Sequence, residues 1–132
     1  VEAAVASMCR LNRFEGEPHG CTDITGFGLL GHAREMALAS GVTLEIETDR
    51  LEFLPGALDY ARQGAIPGGL NNNREFISCA VEFCRELPTE VEALLYDPQT
   101  SGGLLLSMAP EKAQGLAIGR VVERCEKPLR VL

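Results

Sequence analysis

Basic side chains are scarce in this sequence, 12 Lys and Arg against 19 Asp and Glu over 132 residues, and they gather into no stripe. Binders of nucleic acid concentrate cations on one face, so a phosphate-backbone partner is not expected. Long apolar runs are missing too. Nothing approaches the roughly 18 to 20 residues of a membrane span, and the start lacks the basic-then-apolar pattern of a signal peptide. No membrane association is expected, and a cytoplasmic location is the default. The five cysteines Cys9, Cys21, Cys79, Cys84 and Cys125 contain no C-x-x-C pair, which removes the usual signature of a zinc clip or dithiol redox site. Odd in number and scattered, most are expected to be reduced and buried. There is no internal repeat and no low-complexity stretch. What remains is 45% hydrophobic residues in a length that suits one domain with one core, residues 1–132.

Apolar residues at Val1, Ala4, Val5, Met8 and Leu11 predict a helix over 1–12 with one buried face. It opens without a cap, as expected of a piece of a longer chain. Arg13 to Gly20 reads as a loop and Cys21 to Ile24 as a short strand. A helix from Phe27 carries Leu30, Ala33, Met36 and Ala37 inward and ends at Gly41. Val42, Leu44 and Ile46 alternate with Thr43, Glu45 and Glu47, predicting a strand with one face buried and one wet. Leu54-Pro55 opens a helix that Gly64 closes. Pro67 to Arg74, with its glycines and three asparagines, reads as a loop. Ile77 to Phe83 reads as a strand, with a helix as the alternative. Thr89 and Glu92 have the spacing of a capping box for a helix through Leu95. A glycine loop, Asp97 to Gly103, leads into the strand Leu104 to Met108. After one turn near Pro110, Leu116 to Val122 and Leu129 to Leu132 read as final strands. These elements predict an α+β fold, a mixed β-sheet covered by helices.

The stretch Cys21-Thr22-Asp23-Ile24-Thr25-Gly26-Phe27-Gly28-Leu29-Leu30-Gly31-His32 concentrates the candidate chemistry. Gly26, Gly28 and Gly31 match G-x-G-x-x-G between a strand and a helix, with Glu45 and Glu47 about 20 residues on, as in a dinucleotide fold. Two features speak against that reading. The strand before the glycines is polar, not the apolar run of a buried parallel strand, and the βαβ alternation does not persist.

Three motifs in order, the Cys21 to His32 stretch, Gly68-Gly69-Leu70-Asn71-Asn72-Asn73-Arg74 and Asp97-Pro98-Gln99-Thr100-Ser101-Gly102-Gly103, strongly resemble the C-terminal domain of selenophosphate synthetase (selenide, water dikinase). Ala6-Ser7-Met8, Leu11-Asn12-Arg13 and Ile118-Gly119-Arg120-Val121 extend the resemblance over essentially the whole chain. The resemblance implies the C-terminal domain fold of the aminoimidazole ribonucleotide synthetase superfamily. It also implies one half of an ATP site, completed by an N-terminal domain absent from this chain. That family makes selenophosphate from ATP, selenide and water with release of AMP and phosphate. The full-length enzyme is expected to be a homodimer, and this chain alone to be inactive. The selenide-handling Cys or selenocysteine and an essential lysine would lie in the absent domain. The alternatives are another ATP-dependent member of the superfamily, against which the Asp97 to Gly103 loop speaks, and a non-catalytic binding module. The chain departs from the family's pattern between Asn12-Arg13-Phe14 and His19 and between Gln114 and Gly115, where the family is longer.

By resemblance Asp23 is a magnesium ligand, Mg2+ being the expected cofactor with ATP as substrate. Magnesium takes one or two carboxylates beside waters and substrate phosphates, so one aspartate is a partial site. The alternative is a cap on the following turn. Thr25, Gly26 and Gly28 are the candidates that bring backbone N–H groups and a helix N-terminus toward phosphate; tight strand-to-helix packing is the other reading. His32 is read as a packed, hydrogen-bonded histidine. The Asp97 loop is read as a support beside the site, and Asn71, Asn72, Asn73 and Arg74 as phosphate contacts, Arg74 the better candidate for charge, or as a solvated loop.

Overall fold

The computed structural model describes residues 1–132. Its elements are α1 (Glu2–Met8), β1 (Gly20–Asp23), α2 (Gly28–Ser40), β2 (Thr43–Ile46), α3 (Ala57–Arg62), α4 (Gly68–Ile77), β3 (Val81–Phe83), α5 (Thr89–Leu95), β4 (Leu104–Ser107), β5 (Gly119–Val122) and β6 (Leu129–Val131), with short 3-10 turns after β2, α4 and β4. The strands form two sheets. β1 and β4 make an antiparallel ribbon, and the other four make a mixed sheet in the order β3-β6-β2-β5. β6 runs parallel to both β2 and β3, whereas β5 is antiparallel to β2. The α+β reading holds. A dinucleotide fold does not, because β1 pairs only with β4, antiparallel and in a separate sheet from β2.

The mixed sheet carries the core. Leu44 and Ile46 of β2, Leu129 and Val131 of β6 and Val81 of β3 are buried together with Leu30, Ala33 and Ala37 of α2, Leu70 and Ile77 of α4, and Ala93, Leu95 and Tyr96 from the α5 region. Each large aliphatic side chain buried in this way contributes about 1.5–3 kcal/mol relative to exposure. α2 touches β1 as well as β2 and β6, so it ties the ribbon to the sheet. It ends at Gly41, whose φ of +65° is the left-handed cap expected there.

β2 departs from its expected alternation: all four of its residues are buried. It is a central strand, and its polar face is covered from both sides. Glu45 stands in register with Arg120 on β5 and Arg130 on β6, and Arg130 with Glu82 on β3. Arg120 Nε lies 2.6 Å from Glu45 Oε2, Arg130 Nη1 2.6 Å from Glu45 Oε1, and Arg130 Nε 3.0 Å from Glu82 Oε2. One row of alternating charge crosses the sheet. The Cys84 sulfur, and after it the negative charges of Glu82 and Glu45, hold the Arg130 guanidinium protonated more firmly than usual, while desolvation acts the other way.

Other expectations are corrected. α1 spans only Glu2–Met8 and buries none of its residues, so its apolar stripe is uncovered. Residues 68–77 are helix, not loop: Leu70, Asn73 and Ile77 fall on one buried face, a stripe disguised by the asparagine at its centre. Ile77 closes that helix and only Val81–Phe83 is strand. The capping box does not form, since Thr89 is already inside α5 and Pro88 occupies the cap position without a side-chain bond. The strand expected over 116–122 is confined to Gly119–Val122. All five cysteines are exposed, because they fall in turns, at strand ends or on the open face of the ribbon.

Candidate functional site

β1 delivers Asp23 to the end of the ribbon opposite Leu104 of β4. Strand alternation turns Thr22 partly inward and leaves Cys21 and Asp23 exposed on the same side. Beyond Asp23 the chain leaves the ladder and is held by the second glycine loop. Ile24 N–H donates to the Gly103 carbonyl (2.9 Å), Gly102 N–H to the Ile24 carbonyl (3.0 Å) and Gln99 N–H to the Thr25 carbonyl (3.0 Å). Gly102 allows this approach: a Cβ there would stand 2.4 Å from the Ile24 oxygen. The end of α1 joins the same point, since Asn12 Nδ2 donates to the Gly102 carbonyl at 2.9 Å and Ser101 Oγ to the Met8 carbonyl at 3.3 Å.

Gly28 opens α2 with φ +70°, and a Cβ would stand 2.8 Å from the Asp97 oxygen and 2.9 Å from the Tyr96 carbonyl carbon. A side chain here would be strained by its backbone and blocked by its neighbour at once. α4 completes the assembly. Asn73, 7% exposed, donates through Nδ2 to the Gly26 carbonyl at 2.9 Å and to the Tyr96 carbonyl at 3.0 Å. The three motifs singled out in the sequence therefore meet at one place.

Within the turn, Thr25 Oγ1 is 3.0 Å from Nε2 of the buried His32, as expected for a packed, hydrogen-bonded histidine. The Thr25 carbonyl accepts from both Gly28 and Gln99. Gly28 N–H is thus spent inside the turn, whereas the N–H groups of Thr25, Gly26 and Phe27 donate to no group of the chain. Space around Gly26 is open, with no atom within 4 Å of where a Cβ would stand. Unspent donors beside an open backbone are what an anionic ligand requires. Asp97 is half-buried, and burial pushes its carboxyl up from the usual aspartate range while the Gln99 side-chain amide, 2.9 Å from Oδ2, opposes that shift. Burial, followed by the charge of Glu92, pushes the Tyr96 hydroxyl up to about 12, with Arg74 acting against it. Tyr96 is accordingly neutral near pH 7 and serves as packing.

Beside that of Gly28, whose N–H is spent on the Thr25 carbonyl, two more site expectations change. Asn73 is unavailable to phosphate because both of its amide hydrogens are committed to carbonyls. Arg74 lies 5.6 Å from the Tyr96 ring centroid, with Glu92 3.8 Å away, so its guanidinium is turned toward α5. Sequence reasoning missed Asn73 as a structural link. The available signal was its place between Leu70 and Ile77, on the apolar face of a helix. As for a metal, no three acidic, His or Cys side chains converge anywhere in the chain. Asp23 fits magnesium only as one carboxylate among ligands supplied by phosphate, water and another domain.

The geometry agrees with what similarity shows. The family model described as AIR synthase related protein, C-terminal domain, matches residues 2–128. The chain belongs to that family. Among curated relatives, selenide, water dikinase of Clostridioides difficile (strain 630) is 39% identical over 150 residues, covering 99% of this chain and 43% of the relative. The selenide, water dikinase of Caldanaerobacter subterraneus subsp. tengcongensis is 44% identical over 126 residues, covering 86% and 36%. That of Porphyromonas gingivalis (strain ATCC 33277) is 45% identical over 121 residues, covering 87% and 34%. The chain thus spans well under half the length of these relatives. The first alignment also runs over more residues than the 132 of this chain, so the relative carries residues without counterparts here. The two places where the sequence is expected to be shorter than the family adjoin one another: Gln114 Oε1 accepts from Glu15 N–H, and Gln114 Nε2 donates to the Glu15 carbonyl.

Proposed function

We propose that this chain is the C-terminal, ATP-site half of a selenide, water dikinase, the enzyme that makes selenophosphate from ATP, selenide and water. The observation that carries the reading is the convergence of the three motifs on one open turn, in a chain 36–45% identical to selenide, water dikinases over most of its length. Asp23 is the magnesium ligand of this half. The unspent N–H groups of Thr25, Gly26 and Phe27 face the phosphates, with Gly26 keeping the approach clear. Gly28 brings the start of α2 against the Tyr96–Asp97 segment and so fixes the turn, although its own N–H is not available to a ligand.

Phosphoryl transfer asks a protein chiefly for positioning and for compensation of charge on the transferred group. Magnesium, when bound, supplies much of that compensation. The residues here orient phosphate oxygens through the turn and hold one side of the metal. The other metal ligands, the selenium-handling residue and the lysine belong to an N-terminal domain, so residues 1–132 alone do not turn over ATP. In the complete protein, Asp23→Ala removes the selenide-dependent release of AMP and phosphate while circular dichroism and melting temperature stay at wild-type values. Near-normal turnover in that variant would falsify the ligand assignment.

A further inference from the structure

We infer that Asn73 is a positioning residue of this site, a bridge that sets the separation of the Gly26 turn and the Tyr96–Asp97 turn; the inference rests on the ATP-site reading for its catalytic consequence alone. The side chain is buried in the middle of α4, where asparagine is a poor helix former and an apolar residue would continue the stripe of Leu70 and Ile77. What an apolar residue cannot do is donate. Asn73 gives both hydrogens of one nitrogen to two carbonyls 70 residues apart in sequence, and no other hydrogen bond of the chain reaches either carbonyl.

Those two carbonyls belong to the segments that Gly28 brings into contact, since the space its Cβ would fill is bounded by Tyr96 and Asp97. Gly28 permits the approach and Asn73 holds it. The Gly26 end of the bridge adjoins the open N–H groups, and the Tyr96 end adjoins the Gln99 N–H that supports Thr25. Losing the bridge leaves the Tyr96 carbonyl, on a residue 1% exposed, without a partner and frees the turn to move relative to the loop. An Asp at this position makes matters worse, because its carboxylate presents lone pairs to both carbonyls. A displacement of about 1 Å in a reacting site costs on the order of 100-fold in rate.

The test compares Asn73→Ala, Asn73→Asp and the exposed α4 neighbour Glu75→Gln in the complete protein, with kinetics expressed per folded molecule and amide hydrogen exchange measured in parallel. In both Asn73 variants, kcat/KM for MgATP falls about 100-fold, while Glu75→Gln matches wild type. Exchange accelerates at the Gly28 and Gln99 amides, which share the Thr25 carbonyl, and stays slow at the Leu44 and Leu132 amides of the mixed sheet. Wild-type kinetics with unchanged Gly28 and Gln99 exchange overturns the inference. So does acceleration spread evenly over both sheets, since Asn73 would then be an ordinary core residue. If the wild-type protein itself shows no ATP chemistry, the ATP-site reading fails; the exchange pattern still decides whether Asn73 is the bridge.

Discussion

The mixed sheet and the β1·β4 ribbon are built by different means. In the sheet, Leu129 and Val131 have no exposed surface and Leu44 and Ile46 almost none, while the opposite face is closed by the Arg120-Glu45-Arg130-Glu82 row. In the ribbon no residue of either strand is fully buried, and the turn beyond it is held by backbone hydrogen bonds from Ile24, Gly102 and Gln99 and by the Asn73 amide. Burial is non-directional and scales with area; a hydrogen bond fixes geometry and contributes only about 0.5–1.5 kcal/mol net. A site made by the second means leaves a carboxylate and several N–H groups facing outward. A site made by the first would have hidden them.

If this division is right, the largest loss of stability comes from the sheet. Leu129→Ala should cost about 2–5 kcal/mol in urea or thermal unfolding, and the molecules that remain folded should keep the turn's geometry and nucleotide affinity. Gly102→Ala should come next, at about 1–3 kcal/mol for an overpacked position, because its Cβ would sit 2.4 Å from the Ile24 oxygen. Its damage should fall on turnover in the complete protein more than on the melting temperature. An unfolding cost equal to that of Leu129→Ala would erase the distinction between the regions.

A smaller effect is expected at Glu45. Glu45→Gln keeps the shape but removes the charge shared by Arg120 and Arg130, so the melting temperature should fall modestly without altering the turn. The loss should shrink in high salt, because both arginines reach solvent and their interaction is screened. The smallest effect concerns Asp97. Burial raises its pKa on folding, so the folded state binds that proton more tightly than the unfolded one. Its contribution to stability is full below the ordinary aspartate range and is lost as pH rises through the raised value. Asp97→Asn should flatten the stability profile across that acidic window, and an unchanged slope would mean the carboxyl is better solvated than its burial implies.

Much of this architecture was legible locally. Thr22 and Asp23 before three glycines mark a strand entering a turn, Gly41 marks the end of α2, and Asp97 to Gly103 is a loop before an apolar strand; each follows from the conformational preferences of a few neighbouring residues. α4 was hidden because Gly68-Gly69 and three asparagines outweigh three apolar residues in any local count, whereas burial of Leu70, Asn73 and Ile77 depends on what lies opposite them. Glu45 looked solvent-facing for the same kind of reason. Its neighbours Arg120 and Arg130 are 75 and 85 residues away. The cysteines looked like core residues by type, yet their positions at turns and strand ends gave them nothing to pack against.

By itself the sequence determined the α+β class, the order of the elements that matter and the three motifs by which the chain resembles its family, since these depend on local propensity and on residue identity. Only the tertiary structure decided that the motifs meet, that Gly28 N–H is spent while those of Thr25, Gly26 and Phe27 are not, and that Asn73 belongs to the turn instead of to a ligand. Apart from the local bond of Gly28 to Thr25, those facts rest on hydrogen bonds between residues far apart in the chain, and no local preference encodes which distant carbonyl a donor will find.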